Sequence, residues 1–282
     1  MRTARVFRSD FARADDAVRP SARQGRAGAA STNRDHRSRD VSGAACLIDS
    51  FITPNVRATA APRSTSSQNA PRECGAKGSA MAIRFFFDFS STYSYLTAMR
   101  IEPLADAEGI EVEWTPFLLG PIFADAGFKA TPNLSSEAKA SFMWEDLSRR
   151  AAHRGIPFVM PEVFPSRSVS AARAALSLEG AERAAFSRAV FHCEYGKGMD
   201  IAQAETLSEA AEAAGIDPAR IAEGIRNEAV KAALFANVEA AKAAGVFGAP
   251  TFITGDGSRF WGDAQLRDAF SWERTGTLAD LG

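Results

Sequence analysis

The stretch that most constrains this chain is Ile83–Phe89, which reads Ile-Arg-Phe-Phe-Phe-Asp-Phe. Successive side chains on a strand point to opposite faces, so three consecutive phenylalanines make both faces apolar. Only a central strand covered on both sides buries them all. Ser90-Ser91-Thr92 follow, and these residue types cap helix N-termini well. Leu96, Met99 and Leu104 then continue as one helix, bent by Pro103 and closed by Gly109. Ile110–Pro116 alternates Ile110, Val112 and Trp114 against Glu111 and Glu113, a strand with one wetter face. A strand–helix–strand opening calls for a parallel pair joined by a crossover helix.

The pattern then turns helical. Met143, Leu147 and Ala151 share one helix face, and Val169–Ala189 is Ala-rich with Gly180 as its one breaker. Leu207–Ala214 ends at Gly215, and Asp217-Pro218 is a cap followed by a first-turn proline. Val230, Leu234, Val238 and Ala241 line a further helix that Gly245 ends. Strands return at Thr251–Thr254 and Arg259–Trp261, joined by the turn Gly255-Asp256-Gly257. A short helix from Asp263 to about Phe270 follows. The fold class is α/β: a mixed sheet interrupted by an all-helical insertion. The expected division is residues 81–117 with 235–282 as the sheet domain and 118–234 as the insertion.

The first eighty residues are a different kind of chain. They carry 14 Lys+Arg against 7 Asp+Glu, whereas the rest carries 19 against 27, so a near-neutral total hides two opposite halves. Few aromatics and no periodicity leave residues 1–80 too little apolar surface to offset the entropy of ordering. Three readings stay open for them: upstream sequence joined to a chain whose start is Met81, a disordered tail, or a targeting leader. Asp10, Asp15, Asp16, Asp35 and Asp40 count against the leader. The basic run Arg34–Arg39 lacks interleaved aromatics, so no nucleic-acid partner is expected. No apolar run is long enough to span a bilayer, so no membrane partner is expected either. Cys46, Cys74 and Cys193 have neither metal-ligand spacing nor an even framework, which points to a reducing, cytoplasmic setting. His36, His153 and His192 form no cluster, so no metal site is expected.

Three segments stand out as candidates for chemistry. Ser90–Leu96 lies where the first strand meets the first helix; free N–H groups there favour an anion, and a serine hydroxyl there can lower a thiol's pKa. The plain alternative is that its serines only cap the helix. Gly248-Ala249-Pro250-Thr251 places a proline directly before a strand, as a cis proline that turns the Ala249 backbone toward a ligand, or as an ordinary trans proline. Phe260-Trp261-Gly262-Asp263 is a strand end and turn in which Asp263 would cap the next helix.

Taken together, Phe87-Asp88-Phe89-x-Ser91-x-Tyr93-Ser94-Tyr95-Leu96, Phe117-Leu118-Leu119-Gly120, Gly248-Ala249-Pro250-Thr251-Phe252 and Phe260-Trp261-Gly262 resemble the 2-hydroxychromene-2-carboxylate isomerases and the related kappa-class glutathione transferases. The resemblance spans about Ile83 to Phe270 and implies a thioredoxin-like sheet with a helical insertion. Redox relatives open the first helix with Cys-x-x-Cys. Here Ser91 and Ser94 occupy those places, which excludes disulfide exchange at this site.

The resemblance implies glutathione as cofactor and a small aromatic carboxylate as substrate. Ser91 matches the serine that hydrogen-bonds glutathione sulfur. Ala249, before Pro250, matches the residue whose backbone pairs with the cysteinyl part. Asp263 and Ala264 match the turn that holds the γ-glutamyl end. Asn133 matches an asparagine of the substrate pocket, with Phe123, Phe128, Trp144 and Phe164 as wall candidates or ordinary core. The sequence departs from the pattern in places: Thr92 stands for a usual proline, Ala264 for a frequent aspartate, and Ala124 for a common lysine. Asp263 is the nearest replacement for the lost carboxylate, and Lys129 and Arg167 are the replacement cations for a carboxylated substrate. The implied reaction is isomerisation of a ring-opened aromatic by reversible thiolate addition. A kappa-type transferase and a redox-inactive binding protein are the alternatives. Relatives are often dimers, so a homodimer is the implied assembly.

Overall fold

The computed structural model describes residues 81–128 and 131–279. The chain runs β1 (Ala82–Phe87), α1 (Thr92–Ala98), α2 (Ile101–Glu108), β2 (Glu111–Pro116) and α3 (Leu119–Asp125). It continues through α4 (Glu137–His153), α5 (Val169–Leu176), α6 (Gly180–Phe191), a π-helical turn at His192–Gly196, α7 (Ala204–Ala213), α8 (Pro218–Arg226) and α9 (Glu228–Ala243). The hairpin β3 (Thr251–Ile253) and β4 (Arg259–Trp261), a 3-10 turn at Asp263–Gln265 and α10 (Leu266–Thr275) complete it. The sheet order is β2-β1-β3-β4, with β1 parallel to β2 and the other pairings antiparallel.

The triple phenylalanine sets this layering. In register, Phe85 lies between Trp114 on β2 and Phe252 on β3, and Phe252 pairs with Phe260 on β4. Ring centroids separate by 5.1 Å for Phe85–Trp114 and 5.6 Å for Phe85–Phe252, so one aromatic row crosses the sheet. Phe85 and Phe87 face the larger core, with Phe191, Leu147 and the alanines of α5. Phe86 faces the other way, into a smaller cluster with Phe117, Ile122 and Val238. Helices therefore cover both faces, as a central strand with no polar face requires.

Two expected helices divide. The segment through Met99 and Leu104 is α1 and α2, separated at Met99-Arg100. Pro103 lies at the third position of α2, where its missing N–H has no intrahelical partner to lose, so it starts a helix rather than bending one. Val169–Ala189 is likewise α5 and α6, broken before Gly180. The expected boundary between residues 234 and 235 falls inside α9, which continues across it on Leu234, Val238 and Ala241. The extension drawn over residues 1–80, with Cys46 and Cys74, lies outside the described residues.

Candidate functional site

The site is built where β1 ends. Asp88, directly after the phenylalanines, is almost fully buried. One of its carboxylate oxygens accepts from the Ser90 N–H at 3.0 Å and the other from the Leu119 N–H at 2.7 Å. It thereby fixes both the turn into α1 and the start of α3. Ser91 follows as the N-cap of α1, accepting from the Ser94 N–H at 3.2 Å. Its hydroxyl donates to the Ala249 carbonyl at 3.0 Å. Residues 158 positions apart thus meet at one hydrogen bond. The Ala249–Pro250 peptide is cis, and so is Phe164–Pro165, which the sequence did not single out.

Gly248 and Gly262 each have a local reason. A side chain at Gly248 would strike the Trp261 indole. Gly262 takes φ +97°, a region closed to ordinary L side chains, and donates its N–H to the Pro250 carbonyl at 2.9 Å. The proline loop and the turn after β4 are therefore one unit.

Asp263, next in that turn, has contacts that do not favour the ligand role expected for it. It is 2% exposed, and Gly262 rather than Asp263 precedes the 3-10 turn as its cap. Its Oδ1 accepts from Thr97 Oγ1 at 3.0 Å and Arg100 Nη2 at 2.9 Å, and its Oδ2 from Arg154 Nη1 at 2.7 Å. Burial draws the Arg100 guanidinium below its ordinary pKa, against the pull of Asp263. A ligand ammonium would share this carboxylate with two guanidinium groups. Ala264 is exposed and brings no carboxylate. Nearby, Tyr93 donates to Asp146 at 3.0 Å, and Arg150 pairs with the same carboxylate at 2.7 Å. Desolvation first, then Asp146, pushes the Tyr93 phenol up to about 12.

A cleft of about 430 Å³ opens beside the β1–α1 turn. Its lining includes Asp88, Ser90, Leu118, Phe123, Phe128 and Ser166. Phe123 and Phe128 meet edge to face at 6.3 Å. Two of the four wall candidates therefore line it. The other two, Trp144 and Phe164, pack on each other at 4.7 Å and lie off the lining. Asn133 and Arg167 are both exposed and are not part of that lining, though Arg167 is flanked by Ser166 and Ser168, which are. Lys129 lies outside the described residues. Cys193 is buried, and its thiol is pushed up by desolvation. Among the described residues no cluster of His, Cys, Asp or Glu could hold a metal, and no helix is long and apolar enough to cross a membrane.

Sequence reasoning gave Asp88 a place in a motif but no role, and it missed Ser166 and the two arginines that hold Asp263. An aspartate placed directly after Phe-Phe-Phe was a readable sign for the first, since a charge there must find donors. The others carry no local signal.

A DsbA-like thioredoxin domain model matches residues 82–270. A 2-hydroxychromene-2-carboxylate isomerase from Sphingobium xenophagum is 32% identical over 185 residues, 65% of this chain and 93% of the relative. The chain belongs to the DsbA-like thioredoxin family and, within it, to the 2-hydroxychromene-2-carboxylate isomerase family. The Pseudomonas putida isomerase of the same name is 28% identical, over 66% of this chain and 91% of its own length. A solved structure of a 2-hydroxychromene-2-carboxylate isomerase superposes with a TM-score of 0.61 at 27% identity, covering 66% of this chain and 91% of that one. The family membership and the α/β thioredoxin-like fold inferred from the motifs are thereby established.

Proposed function

We propose that the chain is a glutathione-dependent isomerase that converts 2-hydroxychromene-2-carboxylate, or a similar ring-opened aromatic carboxylate. The observation that carries this reading is the Ser91 hydroxyl. It is held at the strand–helix turn against the Ala249 carbonyl, one residue from a cleft with aromatic walls. A hydroxyl has one proton and two lone pairs. Ser91 receives Ser94 N–H on one lone pair and spends its proton on Ala249. Turned from that carbonyl to a thiolate sulfur, the same proton stabilises the anion and lowers the thiol's pKa. The Ala249 carbonyl is then free for a peptide N–H of glutathione.

The thiolate adds to an unsaturated substrate, a former double bond rotates, and the thiolate leaves. Glutathione is not consumed. The Phe123–Phe128 side of the cleft suits an aromatic ring, and Arg167 and Lys129 are the candidates for its carboxylate. The names of the relatives support the isomerase class, and the Ser91–Ala249 pairing supports glutathione as the thiol.

The test is calorimetric titration of glutathione into the full chain and its Ser91→Ala variant, with ultraviolet detection of thiolate and product analysis on 2-hydroxychromene-2-carboxylate. The expected result is binding with a thiolate signal that Ser91→Ala removes. Turnover should fall about 10²-fold, the usual cost of losing one donor to a developing anion. No glutathione binding by the folded, unmutated chain overturns the reading. Accumulation of a glutathione conjugate would replace isomerase by transferase.

A further inference from the structure

The π-helical turn between α6 and α7 carries an acid that nothing above uses. Glu194 is 0% exposed. Neither of its carboxyl oxygens has a hydrogen-bond partner among the described residues. An unpaired buried carboxylate is among the costliest groups a fold can hold. Single π turns within helices recur at functional sites, and this one places Glu194 inward.

Its neighbours explain the state it takes. The Ser166 and Tyr195 hydroxyls stand beside it. Both have committed their protons elsewhere: Ser166 donates to the Val163 carbonyl at 3.0 Å, and Tyr195 to the Phe89 carbonyl at 3.3 Å. Donation from either hydroxyl would draw the Glu194 pKa down, but each already has a backbone carbonyl as its acceptor. With those protons on backbone carbonyls an ionised carboxylate is left without a full donor, whereas a protonated one can itself donate. The charges acting on it are Asp88 and Asp200, both negative. Desolvation first, with those two anions adding to it, holds the Glu194 carboxyl well above the usual range. Ser166 and Asp88 both line the cleft, so this acid lies directly behind the cleft wall.

We propose that Glu194 holds a proton for the cleft and exchanges it with bound substrate through the Ser166 hydroxyl. Glu194 touches no substrate atom and is a positioning residue; Ser166 is the group that meets the ligand. The step rests on the isomerase reading above. When the thiolate sulfur bonds to a carbon of the double bond, the π electrons move to the conjugated carbonyl oxygen. Ser166 passes its proton to that oxygen and takes the proton of Glu194, leaving an enol and a Glu194 carboxylate. That carboxylate faces Asp88, so it reclaims the proton after rotation. The enol oxygen returns its proton through Ser166, the double bond re-forms, and the carbon–sulfur bond breaks. No proton or electron is gained or lost over the cycle.

The test compares the full chain with Glu194→Gln by infrared difference spectroscopy at neutral pH, then by kinetics. The unmutated protein should show a carboxylic-acid carbonyl band that Glu194→Gln removes and that shifts on adding 2-hydroxychromene-2-carboxylate with glutathione. Glu194→Gln and Ser166→Ala should each lower kcat about a hundredfold and leave KM nearly unchanged. Glutamine keeps the shape but not the titrating proton, so a structural role alone would leave kcat where it was. A missing band, or a band indifferent to ligand, or an unchanged kcat in both variants overturns the proposal. If Glu194→Gln does not fold, Ser166→Ala and ¹³C-glutamate labelling of the unmutated chain decide the same question. If the unmutated chain does not turn over this substrate, the isomerase reading fails. The response of the Glu194 band to salicylate then decides alone whether its proton is coupled to the cleft.

Discussion

Asp263 and Glu194 are both acids removed from water, and the fold treats them in opposite ways. Asp263 meets a threonine hydroxyl and two guanidinium groups. Glu194 meets hydroxyls whose protons are already given away. Burial is the same for both, so the donor supply decides the charge. Asp263 is a clamp joining the end of α1, the C-terminal end of α4 and the turn after β4. Glu194 has no such partners among the described residues, and burial favours its protonated form. Asp146 lies between them, at the edge of burial, shared by Arg150 and Tyr93.

This contrast can be broken at its strong end first. Asp263→Ala leaves two partly buried guanidinium groups without their anion and should cost about 3–5 kcal/mol, read by chemical denaturation. A loss under about 1 kcal/mol, the size of an exposed pair, would put Asp263 in the surface class. At the other end the sign reverses. A raised native pKa means that the folded form keeps a proton the unfolded chain gives up. The stability this contributes is complete below the unfolded carboxyl value near 4.5 and is lost as pH rises above it. Glu194→Gln should therefore stabilise the fold at neutral pH and flatten its decline above that value. Equal or lower stability in denaturant melts at pH 7 would show that Glu194 is ionised and paired. The smallest effect belongs to the intermediate case. Tyr93→Phe should cost about 1 kcal/mol at neutral pH for its lost hydrogen bond. The Tyr93 contribution is complete below pH 10 and lost as pH rises toward about 12, so the variant should lack that alkaline fall. A melt series from pH 9 to 12 that is identical in the two proteins would remove Tyr93 from the argument.

What the sequence made legible follows the range of the interactions. Three phenylalanines in a row identify a central strand because the strand period is local. The meeting of Ser91 with Ala249 was readable only through the assembled motifs, since no local pattern links residues so far apart. Asp263 was readable only as part of the assembled motifs, and Arg100 and Arg154, which hold it, leave no trace: each reads as an ordinary surface charge until the fold brings them together. The same is true of Glu194, which lies among residues that read as a plain helix. The split of α1 from α2 was hidden by Pro103, whose effect depends on whether it falls in the first turn of a helix or its interior.

The order of strands in the sheet has a consequence for synthesis. β1 can pair with β2 as soon as the first crossover helix is made, yet its other edge belongs to β3, which the ribosome delivers only after the whole helical block. Until then a strand with phenylalanine on both faces presents an open edge, the surface on which nascent chains join one another. The clamp at Asp263 closes later still, so chains truncated before that residue carry two guanidinium groups with no anion between them. Growth temperature and chaperone supply should therefore govern the yield of this protein more than the stability of its finished fold.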